Sequence, residues 1–240
     1  MNRFTSTLLK LVVGIVAICA LSAGTAAAAG KIPVNLRVVT YQGKVLFDGS
    51  VKTGTTKIKP NTACLGGSPG PSRTLTGPTA LGAVADASKV SAALRPLKIS
   101  DGDFGFGLCG FGSTVAKDEN WWVLKYNHAD SMTGGELLKP KKNSDILWFL
   151  AKSYNETTPN ELVLEAPKKV KSGATAKVRV WEYDGKGKRK PVEGAKIFGG
   201  SAALTDAKGF TKVTVKKKTK LSARFTGTIP SNRAVIKIRK

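Results

Sequence analysis

Histidine, cysteine and acidic residues are scarce in this chain, and each scarcity excludes a class of function. The 240 residues include one histidine, three cysteines and 16 acidic residues, against 39 basic ones. With no second histidine and no two cysteines close together, the sequence has no pattern for a zinc site or a CxxC redox site. It also lacks a Gly-x-Ser-x-Gly elbow and a phosphate-loop Lys-Ser/Thr motif. We therefore predict a protein that is not an enzyme and holds no metal or cofactor.

Long apolar runs are also absent, apart from one short run near the N-terminus. Residues 11–21 are apolar but fall well short of the roughly 20 residues of a membrane-spanning helix. Basic residues precede this run and small residues follow it, so we expect residues 1–29 to be a cleaved signal peptide. A lipoprotein signal is the weaker alternative, because Cys19 follows Ile18 where such signals have a small residue. The mature protein is expected to be secreted or extracellular, with association with the cell surface as the alternative, and to have no integral membrane span.

The two cysteines that remain after signal removal are Cys64 and Cys109. An even pair in an exported chain predicts one disulfide, and a reactive thiol pair is the less favoured alternative. In the chain-entropy model, closing a loop of this length stabilises the fold by on the order of 4 kcal/mol.

Positive charge is the strongest compositional feature of the mature chain. Without the signal segment, 37 basic and 16 acidic residues give a net charge of +21. The charge is uneven, because residues 31–159 carry +6 and residues 160–240 carry +15. A field of this size concentrates anions near the C-terminal half and speeds their encounter with it.

The N-terminal region, residues 30–154, combines short strand patterns with a single helix pattern. Thr76 and Pro78 offer a helix cap and a first-turn proline, and Arg95-Pro96 stops the helical periodicity. Strand patterns occupy residues 34–39, 44–47, 97–100, 104–108, 121–127 and 146–150. This order predicts an α+β domain with the helix packed on one face of a sheet.

The C-terminal region, residues 161–240, follows a polar linker at 155–160 and shows no helix pattern. Strand patterns occupy residues 162–164, 176–181, 195–198, 210–215, 221–225 and 234–238. Turn residues separate these short strands, which is typical of a small all-β sandwich.

The N-terminal region resembles the transcobalamin C-terminal-like family, whose fold is a variant of the β-grasp. The resemblance rests on the helix pattern at 79–86, the Trp-Trp-Val-Leu-Lys-Tyr-Asn strand at 121–127, and a closing hairpin at 135–139 and 145–148. The family usually has glycine after that asparagine, where this chain has His128. Because the family includes a cobalamin-binding member, the resemblance implies a corrinoid-like small ligand as one candidate partner.

The C-terminal region resembles bacterial Ig-like and carboxypeptidase-regulatory-like modules. The resemblance rests on Pro-Val-Glu-Gly-Ala-Lys at 191–196, Leu-Thr-Asp-Ala-Lys-Gly-Phe-Thr at 204–211 and the closing strand at 229–238. Gly209 permits a positive φ in the turn, and Asp206 can accept hydrogen bonds from nearby backbone amides. Such modules act as spacers or adhesive units, so the resemblance implies binding and not catalysis.

Aromatic residues around the predicted hairpin form the candidate small-ligand site, which comprises Trp121, Trp122, Tyr126, Asn127 and His128. Adjacent tryptophans on a strand point to opposite faces, so only one of them belongs to the core if the other face is open. The exposed one would offer a surface for a flat ligand or a sugar. His128 is either an axial ligand or general base, or a solvated turn residue.

Two basic runs form the candidate contact surface for polyanions, one expected in a loop and the other between two strands. They comprise Lys186, Lys188, Arg189, Lys190, Lys216, Lys217, Lys218 and Lys220. The alternative is a surface that serves only solubility. Nucleic acid is disfavoured as a partner by the export signal and the absence of a nucleic-acid motif. We therefore predict an exported binding or adhesion protein for anionic cell-wall or glycan polymers, with a corrinoid-like ligand carrier as the alternative.

Overall fold

A computed structural model describes residues 30–200 and 204–239, and the predicted signal peptide lies outside the described residues. In the N-terminal region the elements are β1 (Ile32–Val39), β2 (Val45–Thr53), β3 (Thr56–Ile58), β4 (Arg73–Leu75), α1 (Ala80–Val90), a 3-10 turn (Ala92–Leu94), β5 (Leu97–Gly102), β6 (Gly105–Phe111), β7 (Thr114–Val115), β8 (Trp121–Tyr126), β9 (Ala129–Asp130) and β10 (Asp145–Ala151). In the C-terminal region they are β11 (Glu161–Glu165), β12 (Lys169–Val170), β13 (Ala174–Tyr183), β14 (Arg189–Pro191), β15 (Lys196–Phe198), β16 (Phe210–Val215), β17 (Thr219–Arg224) and β18 (Ala234–Ile238).

A five-stranded sheet organises the N-terminal region, in the order β2-β1-β10-β8-β9. Its two central strands, β1 and β10, run parallel, while every other neighbouring pair is antiparallel. The apolar run of β10 is buried on both faces, as expected for a central strand that is covered on either side. One face of this sheet packs on α1, and Trp122 and Trp148 lie in the apolar cluster between them.

The single predicted α-helix is present, but it begins later than the sequence pattern suggested. Thr79 is the N-cap, and its Oγ1 accepts a hydrogen bond from the Gly82 amide at 2.8 Å. The predicted cap at Thr76 is therefore wrong, since Thr79 already satisfies the first turn. Small buried residues such as Ala83 and Ala87 let the helix lie close to the sheet.

Two smaller sheets complete the N-terminal region, one formed by β3 and β4 and the other by β5, β6 and β7. The predicted disulfide is confirmed, because Cys64 in the loop between β3 and β4 is bonded to Cys109 in β6. The bond fixes a long Gly-Pro-rich loop against the second of these sheets.

Two four-stranded sheets form the C-terminal region. In one, β13 is flanked by β11, β14 and β16, and the other has the order β12-β18-β17-β15. Both sheets contribute to one apolar cluster, which includes Val178, Val180, Leu221 and Ile236. The described chain is therefore mainly β-structure, and among its residues no helix is both long and apolar enough to cross a membrane.

The second face of the five-stranded sheet contacts the C-terminal region. Val39, Val123, Leu147 and Phe149 on this face form a small apolar cluster with Ile229. Alternation along the strands explains this arrangement, since the residues next to them in sequence belong to the cluster beneath α1.

Candidate functional site

A row of cationic and aromatic side chains lies on the outward side of β13, β14 and β16. Residues at alternate positions of β13, such as Val178 and Val180, are buried in the apolar cluster, so their neighbours face outward. We call this surface the basic face, and it comprises Lys177, Arg179, Trp181, Arg189, Phe210 and Lys212.

Cations stack on both aromatic rings of the basic face. The guanidinium carbon of Arg179 lies 3.6 Å from the Trp181 ring centroid and 4.5 Å from that of Phe210. Arg189 also lies over Trp181, at 4.3 Å, and Lys177 Nζ lies 3.7 Å from the Phe210 centroid. Trp181 is only 8 % exposed although it faces outward, because the arginines cover it. Stacking orders these long side chains while leaving the edges of the guanidinium groups able to donate hydrogen bonds.

Few carboxylates neutralise the basic face. Among the described residues, no ion pair involves Lys177, Arg179 or Lys212, and Arg179 Nε donates to the Lys208 carbonyl. Arg189 lies 3.5 Å from Glu165, but both side chains are about half exposed, and such pairs contribute little to stability. Most of the positive charge of this face therefore remains available to an external anion.

The two basic runs predicted from sequence lie at opposite ends of β13. Val215, just before the lysine run at 216–218, pairs with Ala174 at the start of β13, and Arg189 pairs with Tyr183 at its end. A strand of ten residues spans about 30 Å. The basic face lies between the two runs, so together they form one positive stripe.

The predicted polyanion residues divide between this stripe and two other environments. Lys186, Lys188, Arg189, Lys216, Lys217 and Lys218 lie in the stripe, whereas Lys220 lies in β17 of the other sheet and Lys190 Nζ is 3.6 Å from Glu182. The sequence analysis expected residues 186–190 in a loop, but Arg189 and Lys190 belong to β14.

Asp184 holds the turn that carries the first basic run. Its side chain accepts hydrogen bonds from the amides of Lys186 and Lys188, both at 2.9 Å. The bond from the Lys188 amide, the largest influence, and that from Lys186 lower the pKa of Asp184, so this turn stays anchored by a carboxylate. The lysine side chains consequently project from a defined backbone.

The structure separates the two tryptophans of the predicted small-ligand site, as alternation along a strand requires. Trp122 is buried beneath the helix side of the sheet, where its Nε1 donates to the Cys109 carbonyl at 3.2 Å and its ring meets Phe111 edge-on at 5.3 Å. Trp121 faces the other way and is 38 % exposed. Trp122 is therefore a core residue, and the pair does not form a common surface.

Tyr126 and Asn127 also make contacts within the sheet. The Tyr126 hydroxyl lies 2.9 Å from Ser144 Oγ, and Asn127 Oδ1 accepts a hydrogen bond from the Asp145 amide at 3.0 Å. Burial raises the pKa of Tyr126, but hydrogen bonds from Ser144 and the Lys141 amide outweigh it, so the pKa is lowered. Both side chains have structural roles in closing the hairpin.

His128 has a different role, because it contacts the C-terminal region. It occupies the turn with φ +73°, where glycine is favoured, and its side chain is 20 % exposed. Its Nδ1 lies 3.1 Å from Glu161 Oε1, and its ring centroid lies 4.3 Å from that of Tyr183. His128 is thus an interface residue and not a solvated turn residue.

A buried ion pair that the sequence did not reveal lies beside His128. Arg37 pairs with Glu161 and also donates to the carbonyls of Leu162, at 3.2 Å, and Pro230, at 2.7 Å. Burial raises the pKa of Glu161, but the charge of Arg37 and the hydrogen bond to His128 outweigh it and hold the pKa below its ordinary value. Glu161 is therefore ionised although only 2 % of its side chain is exposed. More than a hundred residues separate Arg37 from Glu161 in sequence, and no local motif connects them.

The described residues contain no cluster of three His, Cys, Asp or Glu side chains arranged to hold a metal ion. No family model, curated protein or solved structure matches this chain. The two family resemblances therefore remain predictions, and function must be argued from the surfaces themselves.

Proposed function

We propose that this protein is an exported, non-enzymatic binding protein that holds anionic polymers on the basic face of its C-terminal region. The observation that carries the proposal is the stacked row from Lys177 to Arg189, which concentrates cations with few carboxylate partners among the described residues. The partners we expect are polymers of the cell wall or acidic glycans, with carboxylate, phosphate or sulfate groups at regular spacing.

The chemistry of stacked arginines suits such polymers. A guanidinium group that is already ordered by an aromatic ring loses less conformational freedom when it binds, and its planar fork matches carboxylate and phosphate geometry. A stripe of about 30 Å meets several repeating charges of one polymer at once, so weak contacts add up along the chain. The uneven charge of the protein, with most of its excess in the C-terminal half, attracts the polymer to this side.

The architecture supports the same proposal. A helix over a mixed sheet with a parallel central pair is compatible with the β-grasp resemblance, and two four-stranded sheets around one apolar cluster are compatible with an Ig-like sandwich. Modules of both kinds are expected to bind or adhere. The corrinoid-like alternative has less support, because Trp122 is buried and Tyr126 and Asn127 are engaged within the sheet.

The test is the affinity for polygalacturonate and for teichoic acid, measured by calorimetry over a range of salt concentrations. The double variant Arg179→Gln/Lys212→Gln should lower the affinity about tenfold or more, since each lost charged contact is worth on the order of 1 kcal/mol. The control is Lys57→Gln/Lys59→Gln, which removes the same charge from exposed positions of the N-terminal region.

The control should change the affinity less than about twofold, because it alters only the long-range field. Equal losses in the two double variants would mean that net charge alone attracts the polymer. No retention of either polymer by the wild-type protein at low salt would refute the proposed function.

A further inference from the structure

A cleft lies between the second face of the five-stranded sheet and the C-terminal region. Its volume is about 610 Å³, within the range of small-molecule binding pockets. β1, β2 and β10 form one wall, and β11, β17 and the segment around Arg233 form the other. The cleft adjoins the basic face but does not include its cations, since Glu165 lines the cleft and lies opposite Arg179 where β11 pairs with β13.

Acidic side chains lie deep in this cleft, and basic side chains lie at its margin. Asp48 and Asp145 are partly buried on the sheet wall, and Glu161 is almost fully buried beside them. The basic residues Lys220 and Arg233 are exposed at the margin. In a protein that carries a large positive charge, the inner part of this cleft is thus acidic.

Arg37 is the buried arginine of this cleft, and its charge acts on Asp48 as well as Glu161, but its side-chain hydrogen bonds reach only one of the three carboxylates. Its guanidinium is committed to Glu161 Oε1 and to the carbonyls of Leu162 and Pro230. The other Glu161 oxygen, Oε2, is buried and has no hydrogen-bond partner among the described residues. A buried carboxylate oxygen without a donor is costly, so Glu161 keeps one oxygen that could accept a hydrogen bond from a bound donor.

Asp145 offers the accessible carboxylate of the cleft. Its side chain is 49 % exposed, it accepts a hydrogen bond from Asn35 Nδ2 at 3.1 Å, and its Oδ2 lies 3.8 Å from His128 Nε2. Asp48 lies on the same face of the sheet, since Asn35 pairs with Asp145 and, two residues along β1, Arg37 pairs with Asp48. Burial, the largest influence, raises the pKa of Asp48, and the Asp145 charge adds to this effect. The hydrogen bond from the Arg233 amide and the charges of Arg37 and Arg233 act in the opposite direction but do not outweigh it. A bound cation would relieve both carboxylates.

We propose that this cleft binds a small molecule through an ammonium or guanidinium group held by Asp145 and Asp48. The positive group enters the acidic inner part, and any anionic portion of the ligand meets Lys220 and Arg233 at the margin. The proposed site uses two carboxylates that do not belong to the basic face, so its test is separate from that of polymer binding.

The single histidine makes the proposal directly measurable, because His128 lines the cleft. Its ring resonances can be followed by NMR during titration of the full mature chain with putrescine or methylguanidinium. Both probes should shift these resonances in a saturable manner, whereas the uncharged analogue 1,4-butanediol should leave them unchanged. Asp145→Asn should weaken binding of both probes about fivefold or more, since it removes one charged partner.

Glu193→Gln is the matched control, because it neutralises one exposed carboxylate outside the cleft and should leave probe affinity unchanged. Asp48→Asn provides a second variant, with a loss expected in the same direction. Saturable shifts with inorganic phosphate but not with either cation would assign the cleft to anions and overturn the proposal. So would cation binding that Asp145→Asn and Asp48→Asn leave intact, or no shift with either cation.

Discussion

The basic face and the cleft present opposite charges, although they lie in one strongly basic chain. On the basic face the cations are outermost, ordered by Trp181 and Phe210 and almost free of carboxylate partners. In the cleft the exposed margin is basic and the interior is acidic. Net charge therefore describes the long-range field of this protein, while burial decides which sign a ligand meets on contact.

The difference also separates two uses of arginine. Arg179 lies on a ring at the surface and keeps its charge available, whereas Arg37 is buried and committed to Glu161 and two carbonyls. The first arrangement suits binding, and the second fixes the two regions against each other. The predictions below test this contrast, beginning with the largest expected effect.

Removing the buried arginine should cause the largest loss of stability. Arg37→Met leaves Glu161 charged with His128 as its remaining partner in the interface, which should cost about 3–5 kcal/mol in the free energy of unfolding. The control is Arg73→Met, since Arg73 pairs with Asp101 at the surface and its loss should cost less than about 1 kcal/mol. Urea denaturation of both variants checks the difference, and equal losses would contradict the distinction between the two pairs.

His128→Gly should lower stability by about 1–2 kcal/mol, because a buried carboxylate loses a hydrogen-bond partner. Glycine would relieve the positive φ of this turn. If His128 had only a role in the turn, the substitution would therefore raise the stability instead of lowering it. Thermal denaturation decides between the two, and His128→Asn serves as a second variant that tolerates the turn without reaching Glu161 in the same way. A gain in stability with glycine would show that the contact with Glu161 contributes little.

Glu161 and Asp48, two of the acidic residues of the cleft, should respond oppositely to pH. The pKa of Glu161 is lowered, so its stabilising contribution is complete above the ordinary carboxyl pKa and is lost as the pH falls through its folded value. The pKa of Asp48 is raised, so its ionisation destabilises the fold as the pH rises.

Asp48→Asn should therefore stabilise the protein at neutral pH, by up to about 1 kcal/mol, and have no such effect in acid. Denaturant unfolding at neutral and acidic pH gives the two values. A stability gain that is the same at both pH values would rule out ionisation of Asp48 as its cause.

The smallest effect should come from replacing one stacked cation by another. Arg179→Lys keeps the charge but loses the planar fork, so polymer affinity should fall about threefold, less than for Arg179→Gln. Calorimetry with polygalacturonate ranks the two single variants. If both variants bound as tightly as wild type, the stacked arginine would have no part in recognition.

Features that follow from the residue pattern of one strand, or from a single pair of cysteines, could be predicted from the sequence. The strands around Trp122 and Trp148, the opposite orientation of Trp121 and Trp122, and the Cys64–Cys109 bond are all present. The helix cap was misplaced because Pro78 was taken as a first-turn proline, whereas in the structure it precedes the Thr79 cap, whose side chain accepts the hydrogen bond from Gly82.

Features that depend on how distant segments pack could not be predicted in the same way. Glu161 and Arg37 meet only because two regions dock, so nothing near either residue signals a buried pair. The basic face was not predicted for another reason, since it is not a run of consecutive lysines and its Arg179 and Trp181 alternate with buried residues. In a strand such as β13, this alternation places Arg179 and Trp181 on one surface. It is the sequence pattern that indicates the basic face.

The indole N–H resonances of the four tryptophans offer the most direct test of the central claim, that anionic polymers bind the basic face. Oligogalacturonate should be titrated into the isotope-labelled protein, and the four signals followed by NMR. We predict a saturable shift of Trp181, which lies beneath Arg179 and Arg189, with little change at Trp121, Trp122 and Trp148. A shift confined to Trp121, equal small shifts of all four signals, or saturable binding with Trp181 unmoved would contradict it.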